Sequence, residues 1–148
     1  MNETLTAWGL RYAAELARHI GESVVDLMPE GTTVQAVNLN ILVEKVPPVG
    51  APRVVSPVEV RPPADFETTE LSTVAHHILR DLQDEVAIYL RRPWPTNQAG
   101  SPLRAWANQA DGQINLAFRG TGVNADAEPV TLPSFPVPPR PECTVIVG

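Results

Sequence analysis

The sequence predicts an α+β domain: two amphipathic helices packed on a mostly antiparallel sheet, with proline-rich extended arms. Two segments repeat their apolar residues at helical spacing. Several shorter runs alternate at a period of two, as half-buried strands do. The sixteen prolines are clustered, at about twice the usual share of roughly 5%. Clustered prolines point to stiff extended segments between folded elements. A chain of 148 residues can bury a real core as one domain. The expected boundaries are 1–132 for the domain, with an internal proline-rich segment at 47–63. A C-terminal arm at 133–148 ends in a short strand.

Each element has a local reason. In ETLTAWGLRYAAELARHIG, Leu5, Trp8, Tyr12, Leu16 and Ile20 share one helical face. Gly21 is a plausible stop, with Arg18 and His19 in the last turn. TTVQAVNLNILVEKV reads as one strand, Val37, Leu39, Ile41 and Val43 alternating with polar residues, and Leu42 breaks the pattern on the polar face. Val54, Val58 and Val60 form either an edge strand, since Pro57 cannot donate to a ladder, or part of an extended arm. The second helix, TTELSTVAHHILRDLQDEVAIYLRR, places Leu71, Val74, Ala75, Ile78, Leu82, Val86 and Tyr89 on one face. Thr68 or Thr69 can cap its start.

A residue before proline is pushed out of the helical region. The run RRPWP therefore stops this helix near Arg91, and Trp94 folding back on the core is favoured over a ligand site. Asp111-Gly112 between two extended runs marks a type I′ hairpin. Its register sets Ala110 opposite Gln113, Ala107 opposite Leu116 and Ala105 opposite Phe118. Ile114, Leu116 and Phe118 then face the core, and Trp106 lies on the polar face with Asn108, Asn115 and Ala117. Val130–Leu132 reads as a short strand, followed by the proline-dense arm with Phe135 in it, and TVIV near the end is β-prone.

Composition weighs against several functions. Net charge is −6 with no basic run, which disfavours nucleic acid and anionic membrane as partners. No apolar run approaches the roughly 18 residues of a membrane span. The opening MNETLTAWG lacks a signal-peptide pattern, so a soluble product made in the cytoplasm is expected. Cys143 is the sole cysteine, which excludes an internal disulfide and any cysteine metal framework. Lys45 is the sole lysine beside ten arginines; with abundant Ala, Val and Pro, this reads as a GC-rich coding sequence.

Candidate sites are few. His77, Asp81 and Asp84 share a side of the second helix and are the one candidate metal or proton-transfer set. Adjacent His76 points about 100° away, so the two histidines cannot face one ion. A solvated helix face is the favoured reading, and neither a cofactor nor a catalytic residue is expected. RGTGVNAD has a Gly-x-Gly but leads into no helix, so it is no phosphate loop. Trp106 is either covered by its own chain or an interface anchor, since Trp is enriched at hot spots. The expected interface residues are Trp106, Trp94, Phe135, Val145, Ile146 and Val147. The function expected is a non-enzymatic structural or interaction subunit of a larger protein assembly, such as a minor component of a bacteriophage particle. Its partners would be other protein subunits, self or hetero, met through extended arms. A small enzyme or metal-binding domain on the His77 face is the alternative. A cytoplasmic chaperone or inhibitor shares the interaction reading and differs in its partner.

Overall fold

The computed structural model describes residues 4–45, 54–63, 69–97, 99–139 and 141. Helix α1 (Leu5–Ser23) begins where the Thr4 hydroxyl accepts from the Ala7 amide at 3.1 Å, a side-chain cap on an otherwise orphan donor. Trp8, Tyr12, Leu16 and Ile20 are buried, the face expected from their spacing. The helix does not stop at Gly21. It runs on to Ser23, so Arg18 and His19 lie outside its last turn. Gly21 instead lies against β1 (Thr32–Val37), where an added Cβ would sit 3.5 Å from the Ala36 Cβ.

The expected single strand over 32–46 is a hairpin of β1 and β2 (Asn40–Lys45). Val37 pairs with Asn40, and Asn38 turns the chain at φ 52°. Asn tolerates that left-handed conformation better than other non-glycine residues. The reversal puts Val37 on the outer face, 42% exposed, while Ile41 and Val43 are fully buried. Strand β3 (Val54–Glu59) pairs antiparallel with β2 and lies at the sheet edge, in the order β1-β2-β3. The Val60 amide donates to the Leu39 carbonyl at 2.8 Å. Residues of Val60's parity thus turn their amides toward β2, and Pro57 turns its donor-less nitrogen to the free edge. No ladder bond is lost there.

Helix α2 (Leu71–Leu90) buries Leu71, Val74, Ala75, Ile78, Leu82 and Val86 as expected, but Tyr89 is 37% exposed. Its N-cap is Glu70, with no side-chain cap, in place of Thr68 or Thr69. Its C-terminus closes as a Schellman turn: the Arg91 amide reaches Ile88 O and the Arg92 amide reaches Ala87 O, both at 3.3 Å. Arg91 occupies the left-handed cap position at φ 56°.

Strands β4 (Arg104–Ala110) and β5 (Gln113–Arg119) pair in the expected register, turned by Asp111 at φ 54° and Gly112 at φ 72°. Strand β6 (Val130–Pro136) is longer than expected and pairs with β5 across a register shift between Ile114 and Leu116. The Val137 amide then donates to Gly112 O at 2.9 Å. Residues 133–136 of the expected arm thus belong to a second three-stranded antiparallel sheet, β4-β5-β6. Its edge position accommodates Pro133 and Pro136. The fold is mixed α+β, with two antiparallel sheets where one was expected. Trp8, Tyr12, Leu16, Leu79, Leu82, Ile41, Ile114 and Phe118 belong to one core cluster drawn from both helices and both sheets.

Candidate functional site

The stretch after α2 is structural. Trp94 is 7% exposed. Its indole N–H donates to Leu27 O at 3.1 Å, and its ring meets Phe118 edge-on at 5.7 Å. Trp94, one of the expected interface residues, is thus packed in the chain's own core. The loop behind it is closed by the Asn97 side chain, which accepts from the Ala99 and Ser101 amides at 3.0 and 2.9 Å. Phe135 is half-buried, 5.9 Å from the Tyr12 ring and 5.2 Å from His19. His19 Nε2 donates to Pro133 O at 2.7 Å, since a carbonyl can only accept. Both contacts tie β6 to α1, so Phe135 anchors the chain's own sheet. Val145, Ile146, Val147 and Cys143 lie outside the described residues.

The three residues of the alternative site separate. His77 and Asp81 line a groove of about 530 Å³ between α2 and the end of β3, with Glu59, Arg61 and Arg80. Asp84 lines a different cleft, beside Trp94 and Leu103. No group of three or more potential metal ligands occurs among the described residues.

One buried ionic cluster was not foreseen. Lys45, the sole lysine, is 8% exposed. Its ammonium donates to Glu85 Oε1 at 3.0 Å and Ser56 Oγ at 3.2 Å, and stands 5.0 Å from the centre of the Tyr89 ring. Burial pushes the Glu85 carboxyl up, but hydrogen bonds from Lys45 and Ser56 and the Lys45 charge outweigh it. The net pKa lies below the ordinary value. Held this way, the lysine side chain is a strut between β2 and α2.

The open face of the second sheet is the strongest candidate site. Alternation along β4 and β5 puts Arg104, Trp106, Asn108 and Ala110 on the side away from Ile114, Leu116 and Phe118. Cross-strand pairing sets Arg104 opposite Arg119, Trp106 opposite Ala117 and Asn108 opposite Asn115. Trp106 is half-buried, and the Arg119 guanidinium lies over its ring at 4.7 Å. Beneath them Ala117 is 4% exposed. Next along the face, Asn115 Nδ2 donates to Asn108 Oδ1, and Ser134 Oγ donates to Asn115 Oδ1, both at 2.9 Å. Arg104, Ala110, Arg119, Thr131 and Ser134 around them are exposed, so no described element covers this face.

Two arginines directly opposite each other repel, and no ion pair among the described residues involves either of them. The hairpin register that placed Trp106 also implied this pair. No helix among the described residues is long and apolar enough to cross a membrane. No protein-family model matches the chain, and neither a curated protein nor a solved structure matches it significantly.

Proposed function

We propose that this protein is a non-enzymatic interaction subunit of a larger protein assembly, and that it meets other protein subunits through the open face of the β4-β5-β6 sheet. One observation carries the reading: Trp106 sits on a solvent-open face, held by Arg119 at 4.7 Å, and not inside the core. A held aromatic flanked by guanidiniums is the chemistry of an interface hot spot. Its ring and the guanidinium plane are already oriented, so binding orders little more. The Asn108–Asn115–Ser134 ladder supplies donors and acceptors beside it. The expected arms contribute less than the sequence suggested, because residues through Pro136 are committed to the second sheet. A minor component of a bacteriophage particle is one such assembly, supported by composition alone.

Density-gradient sedimentation of lysate from the source cells tests this. The wild-type chain is expected to run well ahead of a free 16.0 kDa protein, and W106A to fall back to the free position with its melting curve unchanged. Wild-type chain at the free position, or W106A running with the wild type, contradicts the reading.

A further inference from the structure

The outer face of the first sheet carries the opposite chemistry. Pairing within β1, β2 and β3 sets out three rows on it: Gln35–Leu42–Pro57, Thr33–Glu44–Val55 and Val37–Asn40–Glu59. Val37 and Val55 are 42% and 51% exposed, two of the large apolar side chains this protein leaves to solvent, and Leu42 between them is half-buried. The face holds two carboxylates and, among the described residues of its three strands, no cation. Glu59 is in none of the ion pairs among the described residues. The second sheet's open face is the converse: an aromatic centre, two arginines, and no carboxylate among the described residues of its three strands.

We propose that the first sheet's outer face in one copy docks on the Trp106 face of a second copy, head to tail. This rests on the reading of the Trp106 face as an interaction surface and names its occupant. Leu42 and Pro57 would cover Trp106 and Ala117, while Glu59 in the next row meets Arg104 and Arg119. Sheets stacked this way lie about 10 Å apart with their strands roughly aligned. The two faces are on different sheets of the same chain, so each copy keeps one face free after pairing. Such a heterologous contact propagates, into a ring if the rotation closes and a filament if it does not. Three strands of this length span only about 20 Å by 10 Å, well short of the roughly 800 Å² per partner of a stable interface. The single contact is therefore weak, and assembly grows with concentration.

Light scattering on the purified full chain, from about micromolar to about millimolar, with charge-reversed variants, tests it. The wild type is expected to rise past the dimer. R104E/R119E and E59R should each stay monomeric. Mixing the two variants should restore growth as an alternating chain, because the intact faces fit each other and the two reversed faces do as well. Combining all three changes in one chain should restore growth, because the charges are exchanged. Wild-type protein monomeric throughout, growth that survives both reversals, or a mixture no heavier than its parts overturns the proposal. In the first case, a W106A effect on sedimentation in cell lysate would still leave Trp106 as the anchor for a different protein.

Discussion

Arg91 and the Lys45–Glu85 pair show how single residues set this structure and its stability. Arg91 closes α2 in the left-handed region at φ 56°, where a Cβ is unfavourable by about 1 kcal/mol or more. Glycine is at ease there. R91G is expected to raise stability by about 1 kcal/mol, read as a higher urea midpoint with unchanged slope; a lower midpoint would mean that the arginine makes a contact outweighing its strain. Glu85 has its carboxyl pKa lowered in the fold by Lys45 and Ser56, against burial. The stability it contributes is present above the carboxyl's ordinary pKa and lost as pH falls through the lowered folded value. The wild type should lose stability across that acid window, and E85Q should lose less. An identical acid slope in E85Q would show that the pair is not the source. Neither feature was legible in the sequence. RRPWP announces that a helix ends but not which residue takes the strained cap. The meeting of Lys45 with Glu85, forty positions along, depends on how β2 and α2 pack.

Gln83 illustrates the element scale. Its carboxamide donates to Leu103 O at 2.6 Å and accepts from the Ala105 amide at 3.1 Å. Those two backbone groups point the same way, as a neighbouring strand would require. Helix α2 thus supplies, through one side chain, the partner that the β4 edge lacks, and guards it from other chains. Q83A should cost about 1–2 kcal/mol and raise amide exchange at Ala105 selectively. No change in exchange there would refute the strut. Both helices were legible because long, strongly periodic segments leave little choice of buried face. The β4-β5 hairpin was legible because Asp-Gly permits a two-residue turn and hence one register. The β1-β2 hairpin was hidden because Asn38-Leu39 lacks glycine and the apolar alternation runs straight through the turn. The length of β6 was hidden because Pro133 and Pro136 resemble an arm, and only an edge position makes them compatible with a strand.

At the scale of the whole molecule, two three-stranded sheets share one core, and among the described residues of their strands one outer face carries carboxylates and the other arginines. Trp106 was singled out in the sequence because the hairpin register put it on the polar side. The unlike character of the other sheet's face could not be read, since it exists only once Val37 and Leu42 are turned outward by an unforeseen hairpin. The proposed meeting place with other proteins is the Trp106 face. Replacing Trp106 with a photo-crosslinking phenylalanine analogue, and Glu22 on α1 likewise as a control, tests it most directly in the source cells. A discrete protein adduct is expected from position 106, absent from position 22. No adduct from 106, or the same adducts from both positions, would contradict it.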